Sequence, residues 1–352
     1  MIRSAAAVLG LVLGLLVPAA SRAAESPPAA KAAQSAVIIM YHRFGEGKYP
    51  TTSITLETID AHIRELTNGR YTVWPLKRIV EAVRAGETLP ERTVGISIDD
   101  GFVSVAAEAW PRFKKAGLPF TLFTATDYHH QPIRGYLSWD QIREMARDPL
   151  VDFGHHSASH RHMADATPKI NRAELDKAFA VWEEKIGRRP VLFAYPFGEA
   201  SGEAIEVVRS AGFIAAFGQH SGAFGPEMVK SDVERFYLPR FAFNENWGEE
   251  KRFRQALNTV ALPAIDITPA DPLVATPNPP AFGFTLTRPV PGIERIVCHS
   301  SHEGVGKIER LGEARVEVRY AKPMLKGRTR VNCTLPAGEG RWYWFGRQFY
   351  VK

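Results

Sequence analysis

The sequence predicts an α/β fold with parallel strands, followed by a small all-β domain. From residue 36 to about residue 262, short apolar runs alternate with longer amphipathic stretches, which predicts repeated strand–helix units joined by crossovers. Beyond Pro263 the helical periodicity disappears, and short strands separated by Gly- or Pro-containing turns follow. The first part therefore predicts a barrel or a doubly wound sheet, and the second a β-sandwich of about 75 residues.

The elements of the first part follow from the spacing of apolar residues. Residues 37–40 are apolar throughout and predict a buried strand, whereas residues 56–66 carry apolar side chains at helical spacing. Residues 94–98 form the second clear strand. The same reasoning predicts further strands at 120–123, 151–153, 191–194, 214–217 and 237–241, and further helices at 106–116, 139–146, 174–186, 204–211 and 249–260.

The second part begins with a segment rich in proline. Five prolines predict a linker over residues 266–281, between a first domain at 36–265 and a C-terminal β domain at 282–352. The two cysteines of the chain, Cys298 and Cys333, both lie in the β domain. They predict either one disulfide, if the protein is exported, or two buried free thiols.

The N-terminus has the features of a secretory signal peptide. After a short positive start, residues 5–17 are apolar, and Ser21 and Ala23 are small residues of the kind that a signal peptidase selects. We expect a signal peptide at 1–23, a flexible leader at 24–35, and a secreted or periplasmic protein. The alternative is an uncleaved membrane anchor, although the apolar run is shorter than the ~20 residues that a spanning helix needs.

The charge of the chain excludes some partners. The net charge is +6, and Arg3 and Arg22 contribute two of these charges within the expected signal peptide. This balance, with no basic run interleaved with aromatic residues, gives no indication of nucleic-acid binding. No later segment is apolar and long enough to predict a membrane span after signal removal.

Two short segments supply candidate metal ligands. Asp99 and Asp100 follow a predicted strand and precede Gly101, and His156 and His160 follow another strand, four residues apart. One carboxylate and two imidazoles can hold a metal ion with an open position, which is typical of a catalytic site. The second carboxylate is then free to act as a base. Each segment alone also fits a solvated turn or packed histidines.

Other candidate residues follow predicted strands as well. Pro196 and Phe197 come after the strand at 191–194, and Arg240 comes at the carboxyl end of the strand predicted at 237–241. Functional residues at the carboxyl ends of several parallel strands are typical of a barrel active site.

The combination of these segments resembles the polysaccharide deacetylase family, carbohydrate esterase family 4. Residues 97–101 are similar to its Thr-Phe-Asp-Asp-Gly segment, and residues 156–160 to its His-Ser/Thr-x-x-His segment. The resemblance covers about residues 36–265. Three more segments are similar to ones common in the exported bacterial members: residues 40–43, 137–140 and 193–198.

The resemblance implies a deformed barrel of strand–helix units and a divalent metal, usually zinc. It also implies a polysaccharide N-deacetylase, a hydrolase that removes acetyl groups from N-acetylhexosamine units by cleaving carbon–nitrogen bonds other than peptide bonds. Carried over to this sequence, Asp100, His156 and His160 are the expected metal ligands and Asp99 the base. Peptidoglycan, a β-linked glucosamine exopolysaccharide and chitin fragments all remain open as substrates.

The remaining parts of the expected mechanism concern the oxyanion and the substrate. The backbone N–H of Phe197 is the expected oxyanion donor, because it lies in the turn that follows a barrel strand. Tyr195 and Pro196 belong to the same turn and, with His42, are expected to contact the substrate. Residues 244–247 are expected either to line the sugar groove or to form a plain turn.

The chain departs from the family pattern at three points. An Asp-x-x-Asp-Trp-like segment is absent, and residues 238–241 stand in its place. Ala194 stands where the family often has an arginine, and Arg240 is the candidate to replace it in orienting Asp99. The late Leu-x-His segment that supplies a histidine acid has no match, so His220 is the expected acid, with His42 and His299 as alternatives. A structural histidine is the competing interpretation of each.

Two other functions are compatible with the sequence. An amidohydrolase for a small N-acylated molecule would need a closed pocket rather than an open groove. A non-catalytic carbohydrate-binding protein could retain the fold without the acid. The C-terminal β domain is expected either to bind carbohydrate or to pack on the barrel.

Overall fold

The computed structural model describes Met1, residues 34–129 and residues 135–352. The expected signal peptide, apart from Met1, and nearly all of the expected leader lie outside the described residues. From residue 34 onward the described chain belongs to one compact unit. No helix of the described ranges is long and apolar enough to cross a membrane.

The first part of the chain alternates strands with helices. Its strands are β1 (Ala36–Tyr41), β2 (Arg43–Phe44), β3 (Ser53–Ile54), β4 (Thr72–Val73), β5 (Thr93–Asp99), β6 (Phe120–Thr124), β7 (Val151–His155), β8 (Leu192–Ala194), β9 (Ala215–Phe217), β10 (Ala223–Phe224) and β11 (Phe241–Ala242). Its helices are α1 (Leu56–Leu66), α2 (Leu76–Ala85), α3 (Trp110–Ala116), α4 (Trp139–Met145), α5 (Pro168–Ile186), α6 (Gly202–Ser210), α7 (Pro226–Lys230) and α8 (Glu250–Leu257).

The main sheet is a curled, mostly parallel sheet. Strands β1, β5, β6, β7, β8 and β9 pair in this order and in parallel, and β10 adds to β1 in the antiparallel direction. The chain around β11 curls the sheet back toward its first strand. The N–H of Leu238 donates to Ala216 O of β9 (2.9 Å), and the N–H of Phe243 donates to Met40 O of β1 (2.9 Å). The predicted α/β fold of deformed-barrel type is confirmed.

Local sequence explains where the helices begin and end. Helix α5 begins six residues earlier than predicted, because Thr167 caps it by accepting a hydrogen bond from the N–H of Ile170 and Pro168 suits the first helical position. Helix α2 was not predicted, although its buried residues recur at helical spacing and it ends at Gly86 in the left-handed conformation. The helix predicted to reach residue 260 ends at Leu257 instead.

The C-terminal region is built from two sheets in which most strand pairs are antiparallel. Its strands are β12 (Thr259–Val260), β13 (Ala264–Thr268), β14 (Phe282–Leu286), β15 (Val297–Ser300), β16 (Gly304–Val305), β17 (Lys307–Leu311), β18 (Arg315–Arg319), β19 (Gly327–Gly338) and β20 (Arg341–Val351). The first sheet has the order β12-β20-β19-β15-β16, and the second the order β13-β14-β18-β17. Buried apolar residues of both sheets form one core.

Two features of this region bear on the sequence predictions. Cys298 of β15 lies opposite Cys333 of β19, and the two form a disulfide. The segment predicted as a linker, residues 266–281, begins inside β13. Further along it, the N–H of Val274 donates to Tyr350 O of β20 (2.8 Å), so the segment runs beside the first sheet.

The C-terminal region packs closely on the barrel. A buried ion pair links Arg347 of β20 to Glu234 (2.9 Å), and the hydroxyl of Tyr350 donates to a carboxylate oxygen of Asp165 (2.8 Å). Gly346 marks the closest approach, since a Cβ added there would lie 1.8 Å from Ser221 O. Only glycine therefore allows β20 to lie this close to the loop that follows β9.

Gly346→Ala tests this close approach. The added methyl group would force β20 away from the barrel, and overpacking of this kind costs about 1–3 kcal/mol of the free energy of unfolding. Gly47→Ala is the matched control, because Gly47 is exposed and its nearest neighbour would be Glu245 Oε1 at 4.0 Å. Urea unfolding of both variants measures the difference. Equal stability of the two variants would contradict a tight interface.

Candidate metal centre and active site

The turn after β5 separates the two adjacent carboxylates. Asp100 and Gly101 both have positive φ, at 74° and 76°. A Cβ on Gly101 would lie 2.5 Å from Thr124 Oγ1, so glycine is required there for space as well as for conformation. The turn leaves Asp99 fully buried at the end of the strand, while the side chain of Asp100 remains 15% exposed.

Asp100 and two histidines form a cluster suited to a metal ion. Asp100 Oδ1 lies 3.5 Å from His156 Nε2 and 3.2 Å from His160 Nε2. Within the described ranges, Asp100 Oδ1 and His156 Nε2 are buried and have no hydrogen-bond partner. Buried polar atoms without partners are costly unless a ligand satisfies them, so these donor atoms fit a cation. The three ligand atoms all lie within 4.8 Å of one another.

The surrounding backbone orients the two imidazoles. His156 Nδ1 donates to Ala194 O at the end of β8 (2.6 Å), which leaves Nε2 with a free lone pair. His160 reaches the cluster through a tight loop in which it and Ser157 both have positive φ. The carboxylate of Glu174 holds this loop by accepting hydrogen bonds from the N–H of Ala158 (3.2 Å) and from that of Ser159 (2.8 Å). The sequence analysis missed Glu174, which lies sixteen residues after Ala158 on α5.

Asp99 forms a bidentate ion pair with Arg240. Arg240 Nη1 lies 2.7 Å from Asp99 Oδ1, and Nη2 lies 2.8 Å from Oδ2, with both side chains fully buried. Arg240 also donates from Nε to Gly218 O (2.9 Å), so the guanidinium is fixed. Burial raises the pKa of Asp99. The largest of the effects that oppose burial is the positive charge of Arg240, and the net pKa is lowered. The carboxylate is therefore ionised at neutral pH.

Three hydrogen bonds hold the turn after β8. Phe197 adopts φ 59° and ψ 3°, a conformation that non-glycine residues rarely keep without support. Arg328 Nη1 donates to Phe197 O (3.3 Å), and Gly198 O accepts from Gln348 Nε2 (2.7 Å) and from the hydroxyl of Tyr237 (2.8 Å). Two of these three donors come from the C-terminal region, so that region helps to fix the expected oxyanion turn.

The Phe197 ring is also held in place. It meets the His160 ring edge-on at 4.6 Å and stacks on the His162 ring at 4.1 Å. His162 Nδ1 in turn donates to the buried carboxylate of Glu199 (2.5 Å). This chain of contacts from Glu199 to His160 could not be inferred from the sequence, since it depends on how the two loops meet.

A cleft of about 650 Å³ opens beside the cluster. His42, Asp100, His160 and Phe197 are among the residues that line it. The residues of the turn at 244–247 that line it are Asn244, Asn246 and Trp247, and those contributed by the C-terminal region are Arg328, Arg330, Asn332 and Trp344.

Two of the residues expected to contact substrate are placed elsewhere. Tyr195 is fully buried, and its ring packs against Phe193 and Tyr237 within the core. Pro196 is buried as well. Neither is among the residues that line the cleft, so this structure gives no support to the expected substrate contacts of the two residues. Strand β8 ends at Ala194, and only at Phe197 does the chain reach the cleft.

The three candidate acids differ in their surroundings. His42 lines the cleft, and the charges of Asp100 and Asp99 act on it, although burial lowers its pKa. His220 is 1% exposed, packs against Tyr237 and does not line the cleft. Burial, followed by the charge of Arg347, lowers the pKa of His220 well below its usual value. The surroundings of His220 therefore favour an uncharged imidazole, and its expected role as the acid stays a prediction.

His299, the third candidate, is exposed on β15 and lies outside the cleft lining. Of the three histidines, only His42 lines the cleft that Asp100 and His160 also line.

Comparisons with known proteins agree with this arrangement. The polysaccharide deacetylase family model matches residues 86–216, which include Asp99, Asp100, His156 and His160. The expected resemblance to the polysaccharide deacetylase family is therefore confirmed over this segment of the chain. It is 26% identical over 240 residues to the poly-beta-1,6-N-acetyl-D-glucosamine N-deacetylase of Escherichia coli (strain K12). That alignment covers 57% of this chain but only 34% of the relative, so the chain spans about a third of that protein.

Two solved structures share the fold. The Streptococcus pyogenes deacetylase PplD, in complex with acetate, superposes with a TM-score of 0.58 at 16% identity and covers 64% of this chain and 99% of its own. IcaB from Ammonifex degensii superposes with a TM-score of 0.53 at 20% identity and covers 64% of this chain and 96% of its own. At these identities the likeness is one of fold.

Metal affinity tests the cluster directly. Asp100→Asn and His156→Gln each remove one donor, so we expect the affinity for Zn²⁺ to fall by at least about 100-fold. Competition with a chromophoric chelator measures this on the purified protein without any substrate. His299→Gln is the control, because His299 is exposed and away from the cleft. Equal Zn²⁺ affinity in all three variants would contradict the assignment.

Proposed function

We propose that the protein is a metal-dependent N-deacetylase that removes acetyl groups from N-acetylhexosamine units of a polysaccharide. The observation that carries this proposal is the cluster of Asp100, His156 and His160, which reaches a cleft through Asp100 and His160 and adjoins the ion pair of Asp99 and Arg240. A metal site with three protein ligands and a neighbouring ionised carboxylate is suited to hydrolysis.

The donor set favours zinc among divalent metals. Two imidazole nitrogens and one carboxylate oxygen are typical ligands of catalytic Zn²⁺. A cation held there supplies a Lewis acid that makes water acidic enough to attack an amide at neutral pH. The buried Asp100 Oδ1 and His156 Nε2, which lack partners within the described part of the chain, are the atoms that such a cation would satisfy.

The neighbouring residues perform the proton transfers and stabilise the oxyanion. Asp99 accepts the proton of the attacking water, and Arg240 keeps this carboxylate ionised and correctly oriented. The backbone N–H of Phe197 donates to the oxyanion that forms when the amide carbonyl is attacked. The hydrogen bonds from Arg328 and Gln348 keep the turn in the conformation that this donation needs.

We assign the general acid to His42. The amine leaves the tetrahedral intermediate only when its nitrogen is protonated, so an acid must face the cleft. His42 lines the cleft with Asp100 and His160, whereas His220 is buried beside Tyr237. Burial lowers the pKa of His42, and the negative charges of Asp100 and Asp99 oppose this effect without reversing it.

A polymer is a better match to the cleft than a small molecule. Trp247 is 57% exposed and lines the cleft, and exposed aromatic rings stack on sugar rings. Asn244, Asn246 and Asn332 line the same cleft and can form hydrogen bonds to sugar hydroxyls. The relative from Escherichia coli is a poly-beta-1,6-N-acetyl-D-glucosamine N-deacetylase, which supports modification of an exopolysaccharide.

We also propose that the protein acts outside the cytoplasm. The signal-like pattern of its N-terminal residues supports this, and so does the disulfide between Cys298 and Cys333. Disulfides of this kind persist in secreted and periplasmic proteins rather than in reducing compartments.

Acetate release from N-acetylglucosamine oligomers tests the proposed function. We expect release that a chelator abolishes and Zn²⁺ restores. Asp99→Asn removes the base and His42→Gln the acid, and each is expected to lower kcat by about 10²–10⁴-fold. An assay of acetate on purified protein, with each variant at saturating substrate, provides the measurement.

His220→Gln distinguishes the two histidines. We expect this variant to lose less than about tenfold in kcat, since its imidazole does not line the cleft. A large loss in His220→Gln together with near-normal kcat in His42→Gln would reverse the assignment of the acid. No acetate release from any oligomer by protein with Zn²⁺ bound would contradict the deacetylase itself and favour a binding role.

A further inference from the structure

The cleft carries more positive charge than a neutral sugar polymer requires. Three arginines line it: Arg252 from helix α8, and Arg328 and Arg330 from strand β19. The only carboxylate among the described residues that line the cleft is Asp100, which the proposed metal ion would neutralise.

The three arginines differ in their partners. Arg328 lies 3.6 Å from a carboxylate oxygen of Glu199 and donates to Phe197 O, so its charge is already matched. Arg330 donates from Nε to the neutral side chain of Gln348 (3.0 Å). Arg252 donates to the backbone oxygens of Ala242 and Trp247. Across residues 34–129 and 135–352, no carboxylate lies within ion-pair distance of Arg330 or Arg252.

The alternation of strand β19 explains why Arg330 faces the cleft. Successive side chains of a strand point to opposite faces. Val331 and Cys333 are buried in the core between the two C-terminal sheets. Arg328, Arg330 and Asn332 lie on the other face and line the cleft. The polar face of the strand therefore forms part of the wall of the cleft.

A half-buried guanidinium without a counter-charge is an unfavourable arrangement. Burial, followed by repulsion from Arg328, lowers the pKa of Arg330 below its usual value. Such a group gains more from an anion than an exposed, already paired arginine does. A guanidinium presents its N–H groups in a planar fork that matches the two oxygens of a carboxylate or phosphate.

We propose that Arg330 binds an anionic group of the substrate, a carboxylate or a phosphate, next to the N-acetylhexosamine unit that is hydrolysed. This inference rests on the proposed function and narrows it. The substrate class is an N-acetylated polymer that carries acidic groups along its chain, and the C-terminal wall of the cleft selects it. Arg252 adds positive potential from the barrel side of the same cleft.

The kcat/KM values for acetate release from matched oligomers test this inference. The neutral probe is an N-acetylglucosamine tetramer. The carboxylate probe is a tetrasaccharide that alternates N-acetylglucosamine with glucuronate, and its methyl ester removes the charge while keeping the shape. The phosphate probe is an N-acetylglucosamine oligomer joined by phosphodiesters. We expect one of the two charged probes to exceed the neutral tetramer by at least about tenfold, and methyl esterification to abolish a preference for carboxylate.

Variants of Arg330 connect this preference to the residue. Arg330→Gln is expected to lower the ratio of kcat/KM between charged and neutral probes by about tenfold. Arg330→Lys keeps the charge but loses the planar fork, so we expect it to retain part of the preference. Arg295→Gln is the matched control, since Arg295 is an exposed arginine of the same region that lies outside the cleft lining.

Failure of this inference is distinguishable from failure of the proposed function. Equal hydrolysis of charged and neutral probes, or an unchanged ratio in Arg330→Gln, would overturn the anionic subsite and leave the deacetylase standing. If no probe is hydrolysed, calorimetric binding to Asp99→Asn decides the subsite separately. In this binding experiment, the charged probe must bind at least about tenfold more tightly than the neutral probe, and Arg330→Gln must remove this difference. Equal binding of the two probes overturns the inference.

Discussion

The buried ion pair between Asp99 and Arg240 connects the closure of the barrel to its chemistry. Arg240 lies on the segment that curls the sheet back toward β1, and Asp99 ends β5, so the pair ties the closing segment to the strand that carries the adjacent ligand. Removing one partner of such a pair leaves an uncompensated buried charge, which costs about 3–5 kcal/mol. The same contact keeps the carboxylate ionised. Ala194 stands where the family pattern often has an arginine, and Arg240 approaches Asp99 from the segment directly before β11.

The second constraint is the contact between the barrel and the C-terminal sheets. Gly346 allows β20 to lie against Ser221, and Gln348 and Arg328 then reach the turn that contains Phe197. The C-terminal region thus fixes the expected oxyanion turn and forms one wall of the cleft. A change at this interface is therefore expected to alter substrate selection as well as stability.

The sequence allowed much of the barrel and the cluster to be predicted. Long apolar runs fix the strands, and Asp100, His156 and His160 meet because parallel strands end at one edge of a sheet. The wall of the cleft could not be predicted, since it depends on how the C-terminal sheets pack against the barrel. The alternation from Arg328 to Cys333 did indicate a two-faced strand, but not what the polar face meets. His220 follows a strand, as expected of an acid, and only packing shows that its ring is buried.

The pH dependence of kcat/KM in Arg240→Gln tests the central claim most directly. The acid limb of that profile reports the pKa of the base in the free enzyme. Burial raises the pKa of Asp99 and Arg240 lowers that pKa. Loss of the guanidinium must therefore raise the pKa of Asp99. We expect the acid limb of the variant to lie at higher pH than that of the wild type. Thermal unfolding across the same pH range checks that the variant remains folded. An unchanged acid limb in a folded variant would contradict the assignment of Asp99 as the base that Arg240 keeps ionised.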